Sequence, residues 1–313
     1  MNRGLVAVTG GTGFLGRRLT VALLTAGWRV RVLARGPTAG LWGDADPQVT
    51  IGDVRDPAAL GALTQGAEAL VHVAGLIKAA NRAAFFDVNA EGARLAAEAA
   101  LTAGCGRVVQ LSSLAAREPA LSDYAASKRA GECAARAILG DRLMVMRPPA
   151  IYGPGDRETL GLFQLAGSSP FIPMPRSTTT RLALAHVDDV ARQVTDSLDT
   201  AWAGGTFAFG GARPAGYGWR EIFMAAAAAM GGSPILVPTP DWAIHGSAAL
   251  VEAIGRIRGN PTIFNRGKAS ELLHEDWSVN AREQHPMAFT PSFDLDAGFE
   301  QTVTWYRREG WLA

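Results

Sequence analysis

In the stretch SDYAASKRAGE, Ser122 to Glu132, a phenol and an ammonium group stand four residues apart, at Tyr124 and Lys128. On a helix that spacing puts both on one face. A free tyrosine has a pKa near ~10 and is a poor base at neutral pH, but a neighbouring ammonium group favours its phenolate. The pair can therefore take a proton from an alcohol or give one to a carbonyl oxygen. Ser112 and Ser113 close the preceding apolar run, RVVQLSS, and one of their hydroxyls could hold the same oxygen. YxxxK alone is common on ordinary helix surfaces, so its meaning depends on its surroundings.

The N-terminal run VAVTGGTGFLGRRL supplies the first of these. Gly10, Gly13 and Gly16 follow Thr9 at TGxxGxxG spacing, with Phe14 and Leu15 opening a helix. Glycine lets a backbone turn sharply and approach a diphosphate, and a helix start offers free N–H groups to the anion. This predicts a dinucleotide site. After the second strand, RVRVLARG offers Ala34 and Arg35 in place of the acidic residue that would bind a ribose 2′-hydroxyl, so NADP(H) is favoured over NAD(H). A solvated strand-end arginine is the plainer alternative. Asp53 and Val54 follow the third strand, where they could flank the adenine, although Asp53 could equally cap a helix. Ala74 and Gly75 end the fourth with little side chain, as close passage of a cofactor or tight packing would require.

The elements that must position these residues alternate through the first half. Strands LVAVTG, RVRVLAR, VTIGD and ALVHVAG are interleaved with helices at about Phe14 to Ala26 and about Pro57 to Gln65. An Ala-rich helix at about Arg82 to Ala103, the strand RVVQLSS, a helix at about Tyr124 to Leu139 and the strand RLMVMRPP complete the series. This is the pattern of an α/β fold with a doubly wound parallel sheet, a Rossmann domain, followed by a smaller C-terminal substrate lobe. The boundaries fall at residues 1–151 plus about 185–210 for the dinucleotide domain, and about 152–184 plus 211–313 for the lobe. HVDDVARQVTDSL and GTFAFGG read as a helix and strand returning to the first domain. Helices are also expected near Trp219 to Met230 and Trp242 to Ile257.

Composition excludes several partners. The 313 residues are 48% hydrophobic, and 30 basic against 29 acidic residues leave a formal charge of +1, too little for a large field that would draw the chain to nucleic acid or to an anionic membrane. Two cysteines, Cys105 and Cys133, without CxxC spacing fit a reducing compartment. The start, MNRGLVAVTGG, has no signal-peptide pattern, so the cytoplasm is the default location, and no run is long and apolar enough to be read as a transmembrane segment. Peripheral contact at the inner membrane face stays open.

Taken together, TGGTGFLG, GDVRD, VHVAG, VNAEG, LSS, YAASK, RPPAIYGPGD and HVDDVA, in this order, resemble the extended, epimerase/dehydratase-like short-chain dehydrogenase/reductase family across most of the chain. The resemblance implies hydride chemistry with Ser113, Tyr124 and Lys128 at the catalytic positions. Ser112 is the other candidate for the serine. Asn89 is implied as a supporting group, Lys128 as a holder of the nicotinamide ribose, and Pro148 and Ile151 as neighbours of the nicotinamide. The family uses no metal, so His186, Asp188 and Asp189 in HVDDV are not expected to bind one; either aspartate could cap the next helix. His72 is expected to be a satisfied core histidine. Arg181 could reach a substrate oxygen or lie on the surface. Homodimers through Ala-rich helices are common in the family, though packing on the sheet explains the same alanines.

Three functions remain open. Sugar-nucleotide epimerases tend to prefer NAD and often carry an asparagine soon after the sixth strand; here Arg35 and RPPAIYG depart from both habits. A carbonyl reductase of an apolar, lipid-like molecule fits PFIPMP, PILVP and the stripe of Trp242, Ile244, Leu250, Val251, Ile254 and Ile257, with Arg256 and Arg258 at its end. A core helix would also carry such a stripe. Among such enzymes the chain is similar to bacterial reductases of the 3-oxo group of ceramide-type lipids. The third reading is a non-catalytic NADP-binding subunit, similar to the accessory subunit of respiratory complex I; retention of Ser113, Tyr124 and Lys128 argues against it.

Overall fold

Five consecutive buried residues, Leu5–Thr9, make the first strand (β1), as expected of a strand covered on both faces. The computed structural model describes residues 3–199, 202, 204–258, 262 and 264–312. After β1 come α1 (Phe14–Thr25), β2 (Arg29–Ala34), β3 (Gln48–Ile51), α2 (Pro57–Thr64), β4 (Ala69–His72), α3 (Arg82–Phe86), α4 (Gly92–Thr102), β5 (Arg107–Leu111), α5 (Asp123–Leu139) and β6 (Leu143–Arg147). The chain continues through β7 (Ala150–Tyr152), α6 (Leu160–Ser168), β8 (Phe171–Pro175), β9 (Arg181–Leu182), β10 (Leu184–His186), α7 (Val187–Ser197) and β11 (Gly205–Ala208).

A seven-stranded sheet has the order β11-β6-β5-β4-β1-β2-β3, with every neighbouring pair parallel. Strand order reverses between β1 and β4, and a doubly wound sheet opens its ligand crevice beyond the carboxyl ends of the strands at that point. Leu5 and Ala7 share a buried cluster with Leu60, Leu63, Ala96, Ala97, Ala100 and Ala135. The alanines of α4 and α5 thus pack in the core. Val6 and Val8, alternating with Leu5 and Ala7, are fully buried from the opposite face of the sheet.

One local expectation is corrected. Instead of a continuous helix from about Arg82 to Ala103, the chain forms α3, a π-helical turn at Asp87–Glu91, and α4. The wider turn carries Asn89, only 2% exposed, whose side chain finds partners that a regular helix would have had to supply differently.

The chain divides into two units. The first comprises residues up to Pro148, Val190–Ala208 and His285–Met287; the second comprises Pro149–Asp189, Phe209–Gln284 and residues from Ala288 onward. Strands β7 and β10 pair with each other inside the second unit, so Ile151 and His186 lie there. Its remaining elements are α8 (Trp219–Met230), β12 (Ile235–Thr239), α9 (Asp241–Ile257), α10 (Arg266–Leu273), β13 (Asp276–Trp277) and α11 (Leu295–Arg308). Its core is aromatic: Phe163 packs edge-on against Phe299 and Tyr306, and Phe299 against Tyr152. The phenols are satisfied by backbone, Tyr152 donating to Asp294 O at 3.1 Å and Tyr306 to Asp156 O at 2.6 Å. Asp189 uses its carboxylate to accept from Ser292 N and Phe293 N.

Helix α9 packs through the small residues Ala248 and Gly255 and turns its large ones outward. Trp242 is 77% exposed, Leu250 62% and Ile257 86%, with Ile254 also exposed. The side chain of Arg256 lies outside the described residues. Among the described residues no helix is long and apolar enough to cross a membrane.

Candidate active site

At the β1–α1 turn the backbone is shaped for an anion. Gly10 has φ +71, and a Cβ there would stand 2.6 Å from Ala74 N; one on Gly16 would stand 2.0 Å from Gly10 O. Only glycine fits either place. Gly13 caps α1 without a side-chain hydrogen bond, so the N–H groups of Phe14, Leu15 and Gly16 have no side-chain cap to satisfy them. The turn therefore fits a dinucleotide diphosphate, bound by backbone and helix dipole. Gly11 is also tightly packed, since a Cβ there would meet the Val32 side chain, at Cγ1, at 2.5 Å. Buried Trp42 donates to Gly11 O at 3.1 Å and holds the turn from outside.

Thr9 ties the turn to β4. Its hydroxyl accepts from Ala74 N at 3.3 Å and shares a hydrogen bond of 2.9 Å with His72 Nδ1. His72 is buried and satisfied, and burial together with the charge on Lys128 drives its pKa down to about 3, which keeps the ring neutral. Gly75 follows, exposed at the crevice; a Cβ on it would stand 3.1 Å from Asn89 Oδ1 and 3.4 Å from Lys128 Nζ.

Beyond β2, Arg35 is exposed. Asp53 accepts from Arg55 Nε at 2.7 Å, and Arg55 also reaches Asp87 at 2.8 Å. Arg55 holds the Asp53 carboxyl below its ordinary pKa, with a smaller contribution from the charge on Arg35. Its carboxylate thus has a partner other than Arg35. Val54 is buried in the core.

Helix α5 begins where the sequence dictates. Ser122 caps it by accepting from Ala125 N at 3.0 Å, a contact worth about 1 kcal/mol, and Asp123 sits in the first turn. Tyr124 is half-buried, its ring 6.2 Å from that of Phe85. One turn later Lys128 is 7% exposed, and its Nζ donates to Leu111 O at 2.7 Å. Burial pulls the pKa of Lys128 down to about 8, against an opposing pull from Glu132. Asn89 completes the corner: Oδ1 accepts from Leu76 N at 2.7 Å, and Nδ2 donates to Leu76 O at 3.0 Å and Ser127 Oγ at 2.9 Å. Ser127 in turn donates to Tyr124 O at 2.7 Å. Gly131 permits this packing, since a Cβ there would stand 2.3 Å from Asn89 O.

The two serines behave differently. Ser112 Oγ is sealed from solvent without a hydrogen-bond partner, whereas Ser113 is half-buried and accepts from Ala115 N at 3.2 Å. Of the two residues, only Ser113 is partly open to solvent. Pro148 is buried, its carbonyl accepting from Leu114 N at 2.8 Å and fixing the turn after Ser113. The first unit thus brings together the glycine turn, Ala74, Gly75, Asn89, Ser113, Tyr124, Lys128 and Pro148. Ile151 belongs to the second unit, and Arg181 there is exposed and donates to Thr180 O at 3.0 Å. Residue spacing missed Ser127, Glu132 and Arg147; the i,i+4 step from Lys128 to Glu132 was the one available signal.

The model of the NAD dependent epimerase/dehydratase family matches residues 6–208. A ceramide reductase of Caulobacter vibrioides is 51% identical over 313 residues, covering 99% of this chain and 96% of that one. Sterol demethylase protein B of Methylococcus capsulatus is 34% identical over 172 residues, 48% of this chain and 52% of that one. Among solved structures, DesIV, a dTDP-glucose 4,6-dehydratase from Streptomyces venezuelae with NAD and TYD bound, superposes with a TM-score of 0.74 at 23% identity over 98% of each chain. That likeness establishes the fold.

Proposed function

We propose that this chain, which belongs to the NAD dependent epimerase/dehydratase family and is an NAD(P)-dependent oxidoreductase of the extended short-chain type, reduces with NADPH the carbonyl of an apolar, lipid-like substrate such as a 3-oxo ceramide. What carries the substrate reading is the 51% identity, over nearly the whole chain, to a protein named ceramide reductase. A bound NADPH would supply the hydride that the carbonyl carbon takes up. Tyr124 gives its phenolic proton to the carbonyl oxygen, so the product is a neutral alcohol. The Lys128 ammonium stabilises the phenolate left behind and hydrogen-bonds the nicotinamide ribose. Ser113 donates to the substrate oxygen, and Asn89 braces the corner through Ser127 and the Tyr124 backbone.

The first test is NADPH consumption by purified protein with a 3-oxo ceramide-type lipid in detergent. Tyr124→Phe removes only the transferable proton, so turnover should fall by about 10²–10⁴ while NADPH affinity stays nearly unchanged. Full activity in that variant sinks the mechanism. Tight NADPH binding without consumption by the parent protein turns the reading toward another carbonyl substrate or a non-catalytic subunit.

Preference for NADPH rests on the exposed Arg35 after β2, with Asp53 engaged by Arg55. A guanidinium pairs bidentately with a 2′-phosphate. NADPH should bind more tightly than NADH, with Arg35→Ala closing the gap by roughly tenfold, as expected for the loss of one charge-assisted contact. Equal affinities in the parent protein would make Arg35 a surface charge.

The outward apolar stripe of α9 supports peripheral contact with a bilayer, the place where such a substrate resides. Trp242 suits the interface at one end of the helix. Arg258 at the other end and Arg266 at the start of α10, which packs on α9, are exposed cations matched to anionic headgroups.

A further inference from the structure

One turn after Lys128, on the same face of α5, lies a carboxylate that ought to capture it. Glu132 is 4% exposed, and a buried lysine four residues away is its natural partner. The two form no ion pair. Arg147, at the end of β6, takes both oxygens in a fork, Nε to Oε1 at 2.8 Å and Nη2 to Oε2 at 2.5 Å, while Arg129 approaches Oε2 at 3.4 Å. Three cations surround one carboxylate, and the fork wins because its geometry matches both oxygens at once. Lys128 is left with one acceptor, Leu111 O, for three N–H donors. The ammonium group meanwhile lies beside the exposed Gly75, where an added Cβ would stand 3.4 Å from Nζ.

We propose that Arg147 is a positioning residue for Lys128, acting through Glu132: by clamping both carboxylate oxygens it prevents an internal Lys128–Glu132 pair and leaves two ammonium protons directed to the cofactor crevice. This rests on the reading of Lys128 as a cofactor-holding group, but not on the identity of the substrate. Glu132 then acts at a distance, steadying the buried ammonium group without occupying its donors. The titratable and charged groups around Lys128 and its carboxylate neighbour are His72 from β4, Tyr124, Arg129 and Glu132 from its own helix, and Arg147 from β6; the first is neutral.

The test needs no lipid. The ε-carbon of Lys128 is followed by ¹³C NMR through a pH titration of the free protein, and NADPH affinity is measured by fluorescence in the same variants. In Arg147→Gln the released carboxylate pairs with Lys128: its titration moves up by about one unit and NADPH binds roughly tenfold more weakly, although the lysine is more fully charged. In Glu132→Gln the titration moves down. In the double variant there is no carboxylate to release, so adding Arg147→Gln to Glu132→Gln changes neither titration nor affinity. Arg147→Lys keeps a cation but cannot fork, and should shift both readouts part of the way, which secures the test if the glutamine variant folds poorly. A pure field effect of Arg147 predicts instead the same upward shift with or without Glu132. That additivity, or unchanged NADPH affinity in folded Arg147→Gln, overturns the clamp.

Discussion

Helices α5 and α9, each spanning 17 residues, depart from stable design in opposite directions. The first buries an ammonium group, Lys128, at 7% exposure; the second leaves an indole and an isoleucine, Trp242 and Ile257, at 77% and 86%. Each arrangement costs free energy in the isolated chain. A buried charge forfeits hydration, and an exposed apolar stripe forfeits the burial it could have gained. The comparison separates two kinds of ligand. The α5 corner is polar and braced by the Ser122 cap, the Asn89 network and the Arg147 fork, with the Lys128 ammonium group keeping donors to spare, which suits the proposed meeting with a small molecule at a fixed atom. The α9 face is apolar and defined by area, with Ala248 and Gly255 inward and large residues outward, which suits the proposed contact with lipid, a partner without register.

The largest effect should come from reversing the first departure. Lys128→Met removes a cation whose folded pKa, about 8, lies below its ordinary 10.5. A lysine depressed in this way binds its proton more weakly when folded, so burial of the charged form opposes folding at every pH below 8. From 8 to 10.5 the folded state loses the proton first, and the penalty fades. The variant should therefore be more stable than the parent at pH 7 by about 1–3 kcal/mol, with the difference shrinking by pH 10, while NADPH-dependent turnover is lost. Urea unfolding at the two pH values checks this. A parent more stable than the variant at pH 7 would place Lys128 among ordinary structural residues and erase the contrast with α9.

Much of this contrast is legible in the sequence, because its carriers are local. The glycine turn, the alternation of strands and helices, the Tyr124–Lys128 step and the α9 stripe are all periodicities within a few residues of chain. What the stripe could not reveal was its direction: the same spacing serves a core helix, and only the placement of Ala248 and Gly255 shows which side faces in. The π-turn at Asn89 was hidden for a related reason. VNAEG continues a helical pattern on both sides, and the extra residue in the turn leaves no mark in composition. Thr9 with His72, and Glu132 with Arg147, are separated by 63 and 15 residues, so no spacing rule joins them. Asp189 also accepts from Ser292 N and Phe293 N, more than a hundred residues downstream, which its place at the start of α7 does not announce.

Reversing the second departure should have the smaller effect on the protein and a selective one on its setting. Trp242→Ser together with Ile257→Ser removes two side chains that lie largely in water, so stability should change by no more than about 0.5 kcal/mol each. Cofactor affinity should not move, since neither residue is among the positions assigned to the cofactor. Binding to vesicles containing anionic lipid should fall by at least about tenfold, because each side chain contributes on the order of 1 kcal/mol or more when buried in the interface. Turnover of a lipid presented in those vesicles should fall with it, whereas a short-chain analogue in free solution should be reduced as before. Arg258→Gln would add a loss that disappears at high salt, the mark of a headgroup contact. Unchanged vesicle binding with a lower mass in solution would instead assign the stripe to a second copy of the chain, and α9 would then resemble α5 in serving a partner of defined shape.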